Sequence, residues 1–443
     1  MNSTRKVIIV GAAGRDFHNF HCLYRDNEAV RVIAFTAAQI PDIAGRTYPA
    51  SLAGRLYPDG IPIVEEAELE GLIRKHQVDE VVFSYSDVSH QHVMEIGSRA
   101  IAAGASYVLA GSRPTMIPSR KPVVAVCAVR TGCGKSQTSR YVSAALREQG
   151  WKVAVVRHPM PYGDLAAQAV QRFAEARDLD LHRCTIEERE EYEPHLENGS
   201  LVFAGVDYHR ILEAAEAEAD VILWDGGNND LPFYRPDLHI VVTDPLRPGH
   251  ETTYYPGMAN LLMADVVVIN KVDSASQEAL QTVRGSIARW NPRADVVEAE
   301  STIRLDRPVD LKGKRVLVVE DGPTLTHGQM PIGAGFVLAR REGAILVDPT
   351  VHAVGSIQAT YEKYPHCRQV LPAMGYGERQ IAELAQTIAS TDAELVLIGT
   401  PIDLGRLIQV DKPMVRVRYD LKPIAGADLA ARVRQAVKAR QGA

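Results

Sequence analysis

Short apolar runs alternate with longer amphipathic stretches along almost the whole chain. In the N-terminal part the apolar runs lie at residues 7–10, 30–35, 80–84 and 106–109, and stretches with helical spacing lie at 65–76 and 90–103. Strands that alternate with helices in this way pair in parallel and are covered by helices. The pattern therefore predicts an α/β fold whose first part, residues 1–116, is a Rossmann-like N-terminal domain.

A segment rich in proline and charge, residues 113–122, interrupts this periodicity and predicts a linker. Beyond it, apolar runs at 123–128, 152–156, 221–224, 239–243 and 266–270 predict a central domain with a parallel sheet over residues 122–300. Further runs at 315–320, 344–347, 369–371 and 394–398 predict a C-terminal α/β domain over residues 308–443. A chain of 443 residues, 46% of them hydrophobic, is long enough for about three domains with sizeable cores.

Charge and composition exclude several classes of function. The net charge of -6 argues against a general nucleic-acid binder, whose surface would be basic. No apolar run reaches the length of about 18 residues that a membrane helix needs, and no signal peptide precedes the first strand. The five cysteines have no paired spacing and are expected to be reduced thiols. We therefore expect a cytoplasmic protein that binds neither nucleic acid nor membrane.

The most informative motif is a glycine loop at residues 128–136, between an apolar run and a helical stretch. This is the context of a phosphate-binding loop, in which backbone N–H groups surround phosphate oxygens at a helix N-terminus. Standing alone, the motif would leave an ordinary strand–helix turn open. The predicted nucleotide-binding residues of the loop are Thr131, Gly132, Cys133, Gly134, Lys135, Ser136 and Gln137.

Two further motifs follow the loop in the order expected of a P-loop NTPase. Asp225 ends an apolar run and is followed by two glycines, so we expect it to hold the Mg²⁺ shell together with the Ser136 hydroxyl. Asn270, Lys271 and Asp273 form the N-K-x-D pattern with which P-loop GTPases bind guanine. Together the three motifs predict a central P-loop nucleotide-binding domain that uses ATP or GTP with Mg²⁺.

Arginines and histidines at other predicted strand ends are candidates for binding a second, anionic substrate. Ligands of an open parallel sheet bind at the carboxyl ends of its strands. With Lys135 and Asp225, we expect Arg130 and Arg157 to act in catalysis by stabilising the transferred charge. The predicted substrate-binding residues are Arg15, His18, Asn19, Arg46, His158 and Arg247. For His158, and for the loop that carries Arg46, a structural role is an equal alternative.

Three other stretches of the sequence are not assigned a catalytic role. The two glycines at residues 11–14 fall short of a dinucleotide fingerprint, because no acidic residue closes the second strand, so NAD binding is not expected. The acidic run at residues 187–193 predicts a solvated helix face, with a metal ligand as the alternative. Residues 320–324 with His327 and Gly328 form a candidate strand-end site of unassigned function.

Residues 11–20, the loop 131–136 and residues 224–230 together resemble the cyclic 2,3-diphosphoglycerate synthetase family. The resemblance extends over nearly the whole chain. It implies a ligase that uses ATP to join the two phosphates of 2,3-diphosphoglycerate into an intramolecular anhydride, on a nucleotide domain similar to the signal-recognition and metallochaperone GTPases. It also implies a small phosphorylated substrate as the partner. Such a substrate needs dense positive charge beside the loop.

The alternative is a switch-type GTPase that acts in metal or cofactor assembly. Such proteins usually carry a cysteine or histidine metal motif, and none has the required spacing in this sequence. The enzyme is therefore the favoured hypothesis. The intact N-K-x-D pattern leaves the choice between ATP and GTP open, and the surface of the C-terminal domain leaves a homodimer open.

Overall fold

The structure, a computed structural model, describes residues 4–38, 43–158, 163–227, 229–326, 328–373 and 378–442. Within these ranges it is an α/β protein, which confirms the predicted fold class. Asn228 and His327, which belong to two stretches singled out above, lie outside the described residues.

The N-terminal part forms a six-stranded sheet in the order β3-β4-β2-β1-β5-β7, parallel except for β3. Along β1, Val7 and Ile9 pack into one core and Ile8 and Val10 into another, so both faces of this strand are buried. This two-sided burial explains the continuous apolar run. The strands are β1 Arg5–Val10, β2 Val30–Ala37, β3 Thr47–Tyr48, β4 Ile61–Glu65, β5 Glu80–Phe83, β6 Val88–Ser89 and β7 Ser106–Leu109; the helices are α1 Arg15–Leu23, α2 Ala50–Ala53, α3 Leu69–His76, α4 His90–Ala103 and α5 Ser112–Thr115.

The central part is built on a second sheet, parallel except for the edge strand β10, with the apolar run of β8 fully buried at its middle. Its strands are β8 Val123–Ala128, β9 Val153–Arg157, β10 Gln171–Phe173, β11 Leu201–Ala204, β12 Val221–Trp224, β13 Leu238–Thr243, β14 Tyr254–Tyr255, β15 Val266–Ile269 and β16 Asp295–Leu305. Its helices are α6 Lys135–Arg147, α7 Ala176–Leu181, α8 Ile186–Glu197, α9 Tyr208–Glu218, α10 His250–Thr253, α11 Gly257–Met263 and α12 Gln277–Trp290.

The C-terminal part continues this same sheet. The long strand β16 pairs antiparallel with β21, and the described strands run in the order β10-β11-β9-β12-β8-β13-β15-β16-β21-β20-β17-β18, with β19 beside β17. The C-terminal strands are β17 Arg315–Asp321, β18 Ile345–Leu346, β19 Leu371–Ala373, β20 Leu395–Ile398 and β21 Met414–Gly426; the helices are α13 Gly322–Thr326, α14 Ala334–Arg341, α15 Gly355–Lys363, α16 Glu378–Ser390 and α17 Leu429–Gln441.

Two features tie the predicted domains to one another. Leu429, Val433 and Val437 of α17 belong to the central hydrophobic core, so the last helix packs on the central part and not on the C-terminal one. The short strands β6 and β14 pair antiparallel and join the N-terminal part to the central part. Residues of all three parts lie around the loop that follows β8.

No helix within the described residues has the length and hydropathy that crossing a membrane would require.

Candidate active site

The glycine loop between β8 and α6 has the backbone conformation that its sequence predicts. Gly132 and Gly134 have φ angles of +81° and +105°, which residues with a side chain rarely adopt. A Cβ atom on Gly134 would lie 2.0 Å from Nδ2 of Asn270. That amide donates a hydrogen bond to the Cys133 carbonyl at 2.9 Å, and Nζ of Lys271 donates to the Gly132 carbonyl at 2.6 Å. The first two members of the N-K-x-D pattern therefore hold the loop in place.

Lys135 and Asp225 lie together beneath the loop. Nζ of Lys135 is 2.8 Å from Oδ1 of Asp225, and the hydroxyl of Ser139 donates to the same oxygen at 2.6 Å. The other oxygen, Oδ2, lies 2.8 Å from Nη1 of Arg157 and 2.7 Å from Nε2 of His195. Burial would raise the pKa of Asp225, but Arg157, Lys135 and His195 together hold that pKa well below its usual value.

This arrangement bears on the predicted metal site. Both oxygens of Asp225 already accept hydrogen bonds from protein donors, so the carboxylate does not fit a direct Mg²⁺ ligand in this arrangement. Ser136 lines the cavity beside the loop, and its role as a metal ligand stays a prediction. Within the described residues, no group of three or more His, Cys, Asp or Glu side chains is placed to hold a metal ion.

A cavity of about 540 Å³ opens above the loop, and all three parts of the chain line it. The N-terminal part contributes residues 13–16 and 84–88, and the C-terminal part contributes residues from β17, α13, α14 and β21. The structure thus brings together most of the residues predicted from sequence. Those that line the cavity are Arg15, Arg130, Thr131, Gly132, Gly134, Lys135, Ser136, Gln137, Arg157, His158 and Lys271.

Three of the predicted substrate-binding residues have structural contacts instead of a place on the cavity wall. The His18 ring stacks on Phe233 with centroids 3.9 Å apart, and burial holds its pKa well below the usual value. Asn19 donates to the Ser84 hydroxyl at 2.9 Å inside the N-terminal core. The half-buried Arg46 side chain donates to the Gly163 carbonyl. The placement therefore does not support substrate binding by His18, Asn19 or Arg46.

Two other predicted residues support the loop from behind. Arg247 donates to the carbonyls of Thr131 at 2.7 Å and Gly328 at 2.8 Å, and so joins the loop to the C-terminal part. The thiol of Cys133 is buried, which raises its pKa to about 11 and makes it a packing group. Arg247 therefore links the phosphate loop to the C-terminal part and is not among the residues that line the cavity.

Asp273 and His158 complete the predicted set. Oδ1 of the exposed Asp273 carboxylate accepts a hydrogen bond from the Ser301 backbone N–H at 3.0 Å. His158 lines the cavity and contacts the Tyr208 hydroxyl at 2.9 Å. Burial, followed by the nearby Arg15 and Arg157, keeps the pKa of His158 well below its usual value, so this ring is neutral.

The prediction of a solvated face for residues 187–193 is wrong. Glu187, Glu188, Glu190 and Glu193 are all buried, because α8 packs between the central and C-terminal parts. A run of glutamates with no apolar periodicity gives no sequence signal for this burial. Glu190 accepts a hydrogen bond from the Thr400 hydroxyl across that boundary.

Sequence reasoning also gave too little weight to the acidic residues of the cavity. Glu190, Glu320 and Asp321, which we call the acidic wall, line the cavity, and none forms an ion pair with a described lysine or arginine. Burial raises the pKa of all three, that of Glu320 to about 8. On the side of the N-terminal part, Asp87 lies against Arg130 with Oδ1 2.7 Å from Nε, an ion pair that no motif indicated.

Comparison with known proteins identifies relatives. No family model matches the chain. The chain is 61% identical over 421 residues to arginine synthetase ArcE of Thermococcus kodakarensis, a match that covers 95% of this chain and 94% of that protein. It is 28% identical over 119 residues to cyclic 2,3-diphosphoglycerate synthetase of Pyrococcus furiosus, which covers 26% of this chain and 27% of the relative.

Among solved structures, the chain is similar to LpxK of Aquifex aeolicus in complex with ATP, with a TM-score of 0.43 and 12% identity over 74% of this chain and 90% of that one. The match to the Thermococcus protein establishes the family, because the identity is high and the match spans nearly the full length of both chains. The cyclic 2,3-diphosphoglycerate synthetases match over about a quarter of the chain and are more distant relatives. The chain therefore belongs to the family of arginine synthetase ArcE and is an enzyme of the synthetase, or ligase, class.

Proposed function

We propose that this protein is an ATP-dependent arginine synthetase. In the proposed reaction the γ-phosphoryl group of ATP is transferred to the ureido oxygen of citrulline, and an incoming ammonia then displaces that oxygen as phosphate. The products are arginine, ADP and phosphate. The observation that carries the proposal is a phosphate loop that faces an acidic wall across one cavity, in a chain 61% identical to a protein named arginine synthetase.

The charge of the cavity supports a cationic or zwitterionic substrate. Glu190 and Glu320 are buried and Asp321 is half-buried, and none of the three carboxyl groups has a cationic partner among the described side chains. Removing such groups from water is unfavourable unless a ligand compensates their charge. The α-ammonium group of an amino acid, or the guanidinium group of arginine, is a ligand of that kind.

The loop and the residues beneath it support phosphoryl transfer. Backbone N–H groups of a glycine loop bind phosphate oxygens, and a positioned lysine and arginine stabilise charge that develops during transfer. Lys135 and Arg157 are held side by side on Asp225 at the base of the loop. Mg²⁺, which Ser136 would hold through its hydroxyl, would supply neutralisation of the phosphate charge.

The geometry around Asp273 supports ATP over GTP. Guanine recognition by a carboxylate uses both oxygens, one for the ring N–H and one for the exocyclic amine. Oδ1 of Asp273 already accepts the Ser301 N–H, and Oδ2 lies 3.3 Å from the Ser274 hydroxyl. We therefore expect the N-K-x-D pattern of this chain to support the loop without selecting guanine.

A second candidate is the formation of cyclic 2,3-diphosphoglycerate, because three relatives that match over about a quarter of the chain carry that name. That substrate carries about five negative charges, and the acidic wall offers it no cation. Each arginine and lysine that lines the cavity is already paired with a carboxylate of this chain, namely Arg15 with Asp230, Arg130 with Asp87, Lys135 with Asp225, Arg157 with Asp225 and Lys271 with Asp244. The charge distribution therefore favours the amino-acid substrate.

One assay separates the two candidates. The protein is incubated with Mg²⁺ and ATP together with either citrulline and ammonium chloride or 2,3-diphosphoglycerate, and arginine and phosphate are measured. We expect equal amounts of arginine and phosphate in the first mixture and background phosphate in the second. Phosphate release that depends on 2,3-diphosphoglycerate, with a pyrophosphate-like pair in the phosphorus NMR spectrum and no arginine, would reverse the assignment. GTP in place of ATP should give a lower kcat/KM.

A further inference from the structure

The side chain of Asp87 combines deep burial with an unused acceptor. Only 2% of this side chain is exposed, and its Oδ1 atom accepts from Nε of Arg130 at 2.7 Å. Its Oδ2 atom is buried and has no hydrogen-bond partner among the described residues. A buried carboxylate oxygen that is not hydrogen-bonded is unfavourable, so the site lacks a donor that a ligand can supply.

The backbone holds Asp87 in an uncommon conformation that fixes the position of its carboxylate. Asp87 has a φ angle of +64°, in the left-handed region that residues other than glycine seldom adopt, and its N–H donates to the Tyr255 carbonyl at 2.9 Å. That bond extends the pairing of β6 with β14, which joins the N-terminal and central parts. Strained conformations of this kind concentrate at functional sites. The pairing thus holds a carboxylate of one part against the loop of another.

Asp87 lies directly beside the phosphate loop. Its Oδ1 atom is 3.4 Å from the backbone N of Thr131, and its Arg130 partner stacks over the Tyr254 ring at 3.7 Å. Asp16 and Asp230 also line this cavity. Asp230 is paired with Arg15 at 3.0 Å, and Oδ2 of Asp16 is a second buried oxygen without a partner among the described residues. Asp16, Asp87 and Asp230 therefore form a second acidic set in the cavity lining, and Asp87 lies beside the phosphate loop.

We propose that Oδ2 of Asp87 binds the nitrogen donor of the reaction as an ammonium ion and accepts one proton from it, so that ammonia attacks the activated carbon. The proposal rests on the proposed function. Nitrogen must enter at the carbon whose oxygen accepts the phosphoryl group, so its binding site must adjoin the phosphate loop, as Asp87 does. The α-ammonium group of the amino acid lies at the far end of a three-methylene chain, which suits the acidic wall of α8 and β17. Ammonium is compact and offers several N–H donors, which matches a buried carboxylate oxygen without a partner.

The test is the steady-state kinetics of Asp87→Asn. Asparagine keeps an oxygen for Arg130 but removes the charge from the proposed ammonium site. We expect the KM for ammonium to rise at least about tenfold, the loss of about 1.4 kcal/mol of binding, with the KM for ATP and for citrulline unchanged. Hydroxylamine is a neutral nucleophile at neutral pH and does not need the carboxylate, so turnover with hydroxylamine should be preserved. Glu216→Gln is the matched control, because Glu216 is buried and paired with Arg120 outside the cavity.

The outcomes are distinguishable. A raised KM for ATP or citrulline with an unchanged KM for ammonium would overturn the proposal and make Asp87 a support of the loop or of the amino acid. Should Asp87→Asn fail to fold, Asp87→Glu keeps the charge and displaces it by one methylene. We expect that variant to raise the KM for ammonium several-fold with hydroxylamine turnover unchanged, and an unchanged KM for ammonium would overturn the proposal. Absence of arginine formation by the wild type would overturn the proposed function and this inference together.

Discussion

Asp225 is the most heavily coordinated side chain beneath the phosphate loop. Lys135, Ser139, Arg157 and His195 all contact its carboxylate, which is fully buried. Burial and the neighbouring Arg157 lower the pKa of Lys135, and the Asp225 carboxylate counteracts them. The lysine is therefore part of a buried charge network beneath the loop.

We predict that Lys135→Met abolishes phosphate release and also lowers stability. Removing one cation from the buried Asp225 leaves its charge under-compensated, at a cost of about 1–3 kcal/mol because Arg157 and His195 remain. Phosphate release and the free energy of unfolding in urea measure the two effects. Lys152→Met, which changes an exposed lysine outside the cavity, is the control. Full activity in Lys135→Met would remove this lysine from the site.

At the residue scale, the sequence predicts those site residues whose role depends on a motif of adjacent residues. The glycine loop, Asp225 and the Asn270–Lys271 pair could all be predicted, because each lies at a fixed position relative to a strand. Asp87 could not, because its partner Arg130 is distant in sequence and the two meet only through the pairing of β6 with β14. The structural roles of His18 and Asn19 likewise depend on contacts that no local pattern encodes.

At the scale of elements, strand β17 and helix α14 illustrate how the fold creates the acidic wall. Glu320 ends β17 and accepts a hydrogen bond from the N–H of Phe336 at 2.8 Å, near the N-terminus of α14. A carboxylate at a helix N-terminus is favourable. Burial is the larger effect, however, and with the neighbouring Asp321 it raises the pKa of Glu320 to about 8.

This raised pKa predicts a pH dependence of stability. Between the usual value of 4.5 and about 8, the folded protein retains a proton on Glu320 that the unfolded chain has released. The unfolded state then binds fewer protons, so stability falls as pH rises through this window, by at most about 5 kcal/mol. Glu320→Gln should remove that slope. Its melting temperature relative to that of the wild type should therefore be higher above pH 8 than below pH 4.5. The exposed Glu28→Gln should melt like the wild type, and parallel curves for Glu320→Gln would contradict the account.

Element prediction succeeded for apolar strands and failed for charged helices. Runs such as β8 and β12 are buried on both faces, so the apolar run itself marks the strand. Helix α8 has buried glutamates because it lies between two parts of the chain, where Glu197 pairs with Arg416 and Arg418 of β21. Burial of that kind depends on tertiary contacts, and composition alone favours a solvated helix.

At the scale of the whole molecule, one cavity unites three parts of the chain. The predicted boundary between the central and C-terminal domains, at residues 300–308, falls at the end of β16, whose pairing with β21 makes the two sheets continuous. The N-terminal part adds Arg15, Asp16 and Asp87 to the lining of this cavity. This arrangement places an acidic wall, a phosphate loop and a second acidic region around a single space, which suits a reaction with three substrates.

The most direct test of the proposed function follows the ureido oxygen of citrulline. Citrulline labelled with ¹⁸O at that oxygen is incubated with the protein, ATP, Mg²⁺ and ammonium, and the phosphate and arginine are analysed by mass spectrometry. Phosphoryl transfer to the ureido oxygen requires that the label leave with phosphate, so we predict one ¹⁸O atom per phosphate and none in arginine. Unlabelled phosphate in a reaction that forms arginine would contradict the proposed mechanism, and ATP hydrolysis without any arginine would contradict the proposed function itself.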